Sequence, residues 1–302
     1  MRKIVAFVPA HISGFFQPCE ASDPKRTGSR NCGPCLTLGV RTEVQVERDE
    51  RTRVRITVDG KRAPEATTTL AAVNQLLSAA GASLKVEVNH FCQVPVGAGY
   101  GASGAGTLGA ALALSGALGL RLPREKLVTV AHVAEVANHT GLGDVGAQAS
   151  GGLVIGVRPG APPHGRWKRI PVPKDLKVVC ATLGPLSTKK LLQDEEFRRR
   201  SSELGGRAVE KLAKGPTPER FISVSREFAE GLGLLDRELG AIIKAAEAAG
   251  ALGASQVMLG RAVFALVKER NLEAVKRALS DLLEPRAVFT ASFSRKGATL
   301  LG

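Results

Sequence analysis

The segment with the clearest chemistry is a glycine-rich run at residues 95–107, which reads PVGAGYGASGAGT and contains five glycines. Glycine lets the backbone approach a ligand closely, and the small-residue helix pattern that follows would present unpaired N–H groups and a positive dipole end. We therefore expect the loop to bind an anion, in particular the phosphates of a nucleotide. The residues predicted to form this site are Pro95, Gly97, Gly99, Gly101, Ala102, Ser103, Gly104 and Ala105.

Two common types of phosphate loop fit this segment poorly. Gly99, Gly101 and Gly104 satisfy the G-x-G-x-x-G spacing of dinucleotide sites. Such a site also needs a strand directly before the loop and a second strand ending in an acidic residue. Pro95 breaks the strand pattern, and Glu125 stands in a helix start. A Walker loop would need Lys-Ser or Lys-Thr after the last glycine, and neither follows. The alternative without chemistry is a flexible loop ahead of a core helix.

Two further clusters carry reactive residue types. His132, Glu135 and His139 fall on one face of a predicted helix, but their order matches neither H-E-x-x-H nor H-x-x-E-H. Histidines on a mixed helix face more often pack or hydrogen-bond than bind zinc. Cys32 and Cys35 match the C-x-x-C of redox proteins, which should close a strand and open a helix. A turn-rich segment precedes them, so we expect a tight loop or a structural disulfide.

The glycine-rich run resembles the second motif of the GHMP kinases. In that family the second serine contacts the nucleotide-bound Mg²⁺, and Ser103 holds this position here. The G-L-G-D run ending at Asp144, with a glycine pair beginning seven residues later, resembles the family's S-G-x-D segment. The resemblance implies that Asp144 orients or deprotonates the attacking hydroxyl, and that Glu135 helps to hold Mg²⁺. If the resemblance is set aside, the alternative for Asp144 is an ordinary turn residue.

The first part of the chain resembles one branch of that family, the archaeal pantoate kinases. The likeness lies in V-P-A-H-I-S-G-F-F at 8–16, T-G-S-R at 27–30 and G-V-R-T-E-V at 39–44, with a modified third motif at 254–260. His11 stands where the family usually has a lysine. The resemblance implies ATP- and Mg²⁺-dependent phosphorylation of the 4-hydroxyl of pantoate, in coenzyme A synthesis. Another hydroxy acid such as shikimate, or an isoprenoid alcohol such as mevalonate, stays open as the acceptor.

A hydroxy acid carries a carboxylate that needs a cation in the site. Arginine makes two parallel hydrogen bonds to a carboxylate, whereas lysine offers a point charge. Arg30 is the favoured residue because it lies in the branch-specific T-G-S-R segment, and a solvated surface arginine is the alternative. The residues predicted to contact the substrate are His11, Ser13, Arg30, Ser187, Thr188 and Lys189.

Apolar periodicity predicts an α+β chain. The predicted strands are 4–8, 39–46, 53–58, 84–94, 152–157, 177–182 and 287–293. The predicted helices are 67–80, 103–118, 124–138, 187–214, 218–231, 235–250, 260–270 and 272–283. Proline and glycine crowd residues 160–173, which predicts two domains, 1–170 and 171–302. The resemblance implies the two-domain GHMP kinase fold, with an N-terminal ribosomal-protein-S5-like domain that binds nucleotide and a C-terminal ferredoxin-like domain.

Composition narrows the class of protein further. The 302 residues suffice for two domains, and no run of 18 apolar residues free of charge occurs, so we expect a cytoplasmic protein without a membrane partner. The net charge of +14 favours a basic nucleic-acid-binding module as the alternative from another class. Single tyrosine and tryptophan residues, and cations spread along the whole chain, argue against it. We expect no nucleic-acid partner, and a homodimer.

Overall fold

The computed structural model describes residues 2–78, 81, 83–185, 194–284 and 287–301. Over these ranges the chain forms an α+β structure with two sheets. The strands are β1 (Arg2–His11), β2 (Phe15–Cys19), β3 (Gly28–Arg48), β4 (Arg53–Val58), β5 (Lys61–Arg62), β6 (Leu84–Cys92), β7 (Leu153–Arg158), β8 (Arg166–Ile170), β9 (Leu176–Gly184), β10 (Gly253–Gln256), β11 (Arg261–Lys268), β12 (Val288–Ser292) and β13 (Thr299–Leu301).

The helices lie after β5, between β6 and β7, and around the second sheet. They are α1 (Thr67–Leu77), α2 (Ala102–Leu118), α3 (Arg124–Ala137), α4 (Asp144–Ser150), α5 (Glu195–Ala213), α6 (Pro218–Leu232), α7 (Arg237–Ala248) and α8 (Leu272–Ser280), with a 3₁₀ turn at Glu269–Asn271. Among the described helices, none combines the length and the apolar character that crossing a membrane requires.

The first sheet contains nine strands and is built around the long strand β3. Its main path runs β13-β1-β3-β6-β4-β5, and β2 and β7 also pair with β3, while β8 pairs with β7. Only the pairing of β4 with β6 is parallel among the described strands. Helix α2 packs on β1 and β3 and is flanked by α1 and α3. The sheet therefore brings the start of α2, the end of β1 and the first half of β3 together.

Small residues in α2 allow this close packing. A Cβ on Gly109 would lie 2.6 Å from Thr42 Oγ1, and one on Gly106 would lie 3.2 Å from His90 Cε1. Helix α2 is buried along most of its length. Its apolar residues are therefore distributed over nearly all of its faces and not over one face only.

The second sheet has four antiparallel strands in the order β10-β11-β9-β12. Successive side chains of a strand face opposite sides of the sheet. Val179 and Ala181 accordingly join the core formed with α7 and α8, whereas Val178 and Cys180 join the core shared with α6 and β2. This second face connects the two sheets through one continuous apolar core.

Several details differ from the sequence-based expectations. The helix predicted over 260–270 is wrong, because these residues form β11, whose positions from Ala262 to Val267 are all fully buried. A strand buried on both faces and a buried helix share the same continuous apolar pattern. Part of the helix predicted from Ser187 lies outside the described residues, and α5 begins at Glu195 after an Asp194 N-cap.

The expected tight loop or disulfide at Cys32 and Cys35 is also wrong. Both residues lie inside β3 as buried free thiols, and burial raises the pKa of each thiol. The thiolate is the reactive form of cysteine, so this environment disfavours redox chemistry at the pair. Finally, β13 pairs with β1, so the last described strand returns to the first sheet.

Candidate active site

A cavity of about 420 Å³ lies where the glycine-rich loop meets the first half of β3 and the segment before α4. Three parts of the chain line it. They are the glycine-rich loop, a set of polar side chains at the end near Asp144, and a set of apolar and polar side chains at the other end. The residues of the 95–107 run that line it are Val96, Gly97, Gly99, Tyr100, Gly101, Ala102, Ser103 and Gly106. Pro95, Gly104 and Ala105, which we expected to belong to the site, are not among the lining residues.

Positive backbone φ angles shape the loop. Gly97, Gly99 and Gly101 have φ values of 78°, 88° and 65°, a region that residues with a Cβ rarely adopt. Gly101 immediately precedes α2 and lines the cavity with Ala102 and Ser103, so the helix end whose first N–H groups lack intrahelical partners lies at the cavity wall. The main chain of the loop is held in place, because His11 N donates to Tyr100 O at 3.0 Å. These features give the loop the geometry of an anion site.

The turn at 257–260, within the modified third motif, packs directly on this loop. A Cβ on Gly99 would lie 2.7 Å from Val257 Cγ1, and one on Gly260 would lie 2.0 Å from Ala98 O. Met258 N also donates to Ser13 O at 3.0 Å. The turn between β10 and β11 of the second sheet therefore supports the glycine-rich loop.

Asp144 stands at the start of α4 and lines the cavity. Its Oδ1 lies 2.7 Å from His11 Nδ1 at the end of β1. His11 is completely buried, and it is not among the lining residues. The structure thus places His11 behind the carboxylate, where an Nδ1–H group would donate to it and hold its orientation. The substrate contact that we expected for His11 is not part of this arrangement.

Ser103 and Glu135 meet beside the first turn of α2. Ser103 Oγ donates to Glu135 Oε1 at 2.6 Å, and Thr140 Oγ1 donates to the same oxygen at 3.0 Å. Burial raises the pKa of Glu135 to about 7, and the nearby charge of Asp144 adds to this rise. The Glu135 carboxylate accepts hydrogen bonds from the Ser103 and Thr140 hydroxyls, and no lysine, arginine or histidine of the described ranges lies within 4 Å of it. No positive charge therefore balances this buried carboxylate and its neighbour Asp144 at that distance from Glu135.

This oxygen-rich pair fits a hard divalent cation. Mg²⁺ binds through one or two carboxylates together with substrate phosphates, so Ser103 and Glu135 beside a phosphate-binding loop provide a suitable donor set. The zinc alternative has no comparable support: no group of three His, Cys, Asp or Glu side chains in the described ranges is arranged to hold a metal ion. His132 instead hydrogen-bonds through Nε2 to Thr27 O at 2.8 Å.

Polar side chains of β3 and of the turn between β1 and β2 form the end of the cavity near Asp144. Asn31 Nδ2 donates to Ser13 Oγ at 3.2 Å, and Ser29 lines the same wall. Asn31 is buried, and its Oδ1 has no hydrogen-bond partner among the described residues. Gly143 leaves room here, because a Cβ would lie 2.2 Å from Ser29 Oγ. This end can therefore receive a small polar molecule beside the carboxylate.

The other end of the cavity lies among α1, β4 and β6. Val58, Ala63 and Val96 provide apolar surface, while Thr69 and His90 provide polar atoms. His90 Nδ1 lies 2.9 Å from Thr42 Oγ1, and burial lowers the pKa of His90 to about 4. The imidazole is thus neutral near pH 7.

The five predicted substrate residues other than His11 divide into three groups. Ser13 lines the cavity, while Ser187, Thr188 and Lys189 lie outside the described residues. Arg30 lies in a separate shallow groove, where its Nε donates to Gln17 Oε1 at 2.6 Å. Sequence reasoning missed Ser29, Asn31 and Thr140. The signal for the first two was strand alternation: had residues 28–32 been interpreted as a strand, Ser29 and Asn31 would have been placed on the face opposite Arg30.

Comparison with known proteins gives two family matches and several close relatives. The family model described as GHMP kinases N terminal domain matches residues 67–152, and the one described as GHMP kinases C terminal matches residues 208–284. A pantoate kinase of Thermococcus kodakarensis is 36% identical over 285 residues, covering 93% of both chains. A pantoate kinase of Methanocaldococcus jannaschii is 32% identical, covering 92% of this chain and 97% of the relative.

Solved structures have the same overall architecture. A phosphotransferase related to the CoA biosynthesis pathway superposes with a TM-score of 0.91 at 33% identity, covering 99% of each chain. A homoserine kinase of Cytophaga hutchinsonii superposes with a TM-score of 0.69 at 18% identity, covering 100% of this chain and 98% of the other. The second likeness is informative about the fold alone.

Proposed function

The chain belongs to the GHMP kinases and has their two-domain fold, and from this premise we propose that it transfers the γ-phosphoryl group of ATP to the 4-hydroxyl of pantoate. The products would be 4-phosphopantoate and ADP. The acceptor is suggested by the relatives named pantoate kinase, which align over nearly the whole chain. The observation that carries the chemistry is that Asp144 and Ser103 line one cavity beside the glycine-rich loop, and that each is hydrogen-bonded to a buried residue behind it, His11 and Glu135 respectively.

The glycine-rich loop would bind the phosphates of ATP. Its backbone at Gly97, Gly99 and Gly101 has no Cβ to block close approach, and the N–H groups that begin α2 can donate to phosphate oxygens. The apolar and neutral polar surface around Val58 and His90 would receive the remainder of the nucleotide. In this pose the terminal phosphate points towards Asp144 and Ser103.

Ser103 and Glu135 are the proposed ligands of Mg²⁺. When bound, the cation would neutralise charge on the transferring phosphoryl group. The protein's own contribution is to keep the Glu135 carboxylate in place through Ser103 and Thr140.

Asp144 would act on the attacking hydroxyl. Its Oδ1 is fixed by His11, which leaves the rest of the carboxylate to face the cavity and accept a hydrogen bond from the acceptor's hydroxyl. As the hydroxyl oxygen attacks the phosphorus, Asp144 would orient it and accept its proton. Phosphoryl transfer needs little covalent chemistry from protein, so this positioning supplies much of the catalysis.

Ser13, Ser29 and Asn31 would bind the acceptor beside Asp144. The unpartnered Oδ1 of Asn31 can accept a hydrogen bond from a hydroxyl of the substrate, and the serine hydroxyls can donate to its carboxylate. Arg30 and the segment 187–189 remain our proposed cationic contacts for that carboxylate. Arg30 would have to leave Gln17 and reach around β3 to make this contact.

An acceptor panel tests the proposal directly. Pantoate, mevalonate, homoserine and shikimate are each supplied with Mg²⁺-ATP, and ADP release and the ³¹P NMR signal of a phosphomonoester are measured. Pantoate should give the highest kcat/KM. A higher kcat/KM for another alcohol would reassign the acceptor, and ATP hydrolysis without a phosphomonoester would contradict the kinase activity.

Four further features belong to the proposal. The domain boundary would lie near residue 170, between β8 and β9, with β13 as a return to the first domain. The protein would work in the cytoplasm, without a nucleic-acid partner, and it would form a homodimer. Sedimentation of the purified protein in ATP-free buffer measures the last of these.

A further inference from the structure

A second concave surface lies at the opposite end of α4 from Asp144. This basic groove, of about 440 Å³, is formed by the first residue of α3, the end of α4, strand β8 and residues 295–299. Its charged lining residues are Arg124, Lys168, Arg169, Arg295 and Lys296. None of the lining residues is acidic, and none of these five cations has an acidic partner within 4 Å in the described ranges.

The walls of the groove are fixed by backbone contacts. Ala298 N donates to Gln148 O at 2.9 Å, and Gly152 N donates to Ser294 O at 2.7 Å. A Cβ on Gly297 would lie 2.0 Å from Ala149 O, so the 295–298 turn packs directly on the end of α4. A groove with such walls is already formed before any ligand binds.

Two of the arginines are oriented by the last carbonyls of α4. Arg124 Nη2 donates to Ala149 O at 2.9 Å, and Arg169 Nη2 donates to Ser150 O. Each guanidinium keeps further N–H groups for a ligand, because arginine carries five donors and each uses a single one here. Arginine's planar fork suits bidentate binding of phosphate oxygens.

The five cationic side chains of the groove repel one another, because no acidic side chain lines the groove with them. A bound anion would reduce this repulsion. We propose that the basic groove binds a small polyanion that carries two or more phosphate-type groups, such as a pyrophosphate ester, at a site separate from the glycine-rich loop. A small ligand suits the volume of the groove, and its charges lie in one concavity rather than in a stripe along the surface.

The intrinsic tryptophan fluorescence of the protein can be used to measure binding in the groove. Trp167 is the only tryptophan in the sequence, and it lines the groove. Its ring also packs on α4, because a Cβ on Gly146 would lie 1.9 Å from Trp167 Cζ2. Inorganic pyrophosphate added to the full chain should therefore change the tryptophan fluorescence in a saturable manner.

The test uses the double variant R295Q/K296Q, with K276Q/R277Q as a matched control. Both pairs are adjacent exposed cations, and the second pair lies on α8, away from the groove. Pyrophosphate should bind R295Q/K296Q at least about tenfold more weakly than the parent protein, since charge-assisted hydrogen bonds are lost. K276Q/R277Q should retain the parent affinity, and both variants should retain kinase turnover.

Three outcomes would overturn the inference. The first is a parent protein whose fluorescence does not respond saturably to pyrophosphate. The second is a response of equal affinity in R295Q/K296Q, which would place the binding site elsewhere. The third is a response to a single-stranded oligonucleotide but not to pyrophosphate, which would assign the groove to nucleic acid.

Discussion

At the scale of single residues, the chemistry depends on two carboxylates, and one oxygen of each already takes part in hydrogen bonds with neighbouring side chains. Asp144 Oδ1 is hydrogen-bonded to His11, and Glu135 Oε1 accepts hydrogen bonds from Ser103 and Thr140. Hydrogen bonds to ionised groups contribute about 1.5–3 kcal/mol each, so these partners determine where each carboxylate points.

Replacing His11 should reduce turnover through Asp144. His11→Ala removes the donor at 2.7 Å, and kcat should fall by about one to two orders of magnitude while the KM for ATP changes little. His11→Asn keeps an N–H donor near the position of Nδ1 and should recover much of the loss. Steady-state kinetics at saturating pantoate measures both. A His11→Ala enzyme with parental kcat, and an unchanged melting temperature, would remove His11 from the mechanism.

Replacing Thr140 should weaken the binding of Mg²⁺. Thr140→Val is nearly isosteric and removes the hydrogen bond to Glu135 Oε1, so the Mg²⁺ concentration for half-maximal activity should rise about three- to tenfold. At saturating Mg²⁺, kcat should stay near the parent value. Thr129→Val is the control, because the Thr129 hydroxyl hydrogen-bonds to the main-chain carbonyls of Glu125 and Pro162, away from Glu135 Oε1. Equal Mg²⁺ dependence in the two variants would contradict a role for Thr140.

At the scale of elements, the site forms where four pieces of regular structure end or begin. The start of α2, the end of β1, the first half of β3 and the start of α4 converge on the cavity. A polar cluster of Thr42, Thr69 and His90 joins α1 to β3 and β6 beneath it. Because this cluster is buried, it links the stability of these elements to pH.

Stability should decrease on acidification because of His90. Burial lowers its pKa from 6.5 to about 4, so the unfolded chain binds a proton in this window that the folded chain does not. The free energy of unfolding should therefore fall between pH 6.5 and pH 4, with a contribution from this residue of at most about 1.4 kcal/mol per pH unit. Urea unfolding of the parent and of His90→Gln over this range measures the difference. If the two pH slopes were the same, His90 would not be the responsible group.

The sequence predicted some of these elements and missed others for physical reasons. Three positive-φ glycines and the helix beginning near Ser103 were foreseeable, because glycine composition and apolar periodicity depend on local sequence alone. The interpretation of β11 as a helix failed because burial on both faces removes the alternating pattern. Arg30 was favoured because it lies in the T-G-S-R segment, and the pairing of this segment with β2, which depends on residues distant in sequence, makes it part of a strand.

At the scale of the whole molecule, the glycine-rich loop lies between the two sheets. Tyr100 is nearly fully buried, and its hydroxyl lies 2.8 Å from Thr182 Oγ1 on β9. Its ring packs edge-on against Phe289 of β12, with centroids 5.3 Å apart. The second sheet thus fixes a loop that belongs to the first, which couples the stability of both parts to the nucleotide site.

Tyr100→Phe should reveal this coupling. The variant keeps the ring on Phe289 but removes the hydroxyl bond to Thr182, so the free energy of unfolding should fall by about 1 kcal/mol. Combining it with Thr182→Val in a double-mutant cycle isolates the pair, and the two effects should be less than additive. Strict additivity in chemical denaturation would mean that the hydroxyls do not interact.

The central claim, that Asp144 acts on the acceptor's hydroxyl at this cavity, is tested most directly by the turnover of Asp144→Asn with pantoate and Mg²⁺-ATP. Asparagine is nearly the same size and can still hydrogen-bond, but it cannot accept a proton as the carboxylate does. We predict that kcat falls by at least about two orders of magnitude, a typical contribution of general-base catalysis, while the affinity for ATP measured by calorimetry stays within about threefold. An Asp144→Asn enzyme that phosphorylates pantoate at close to the parental rate would contradict the claim.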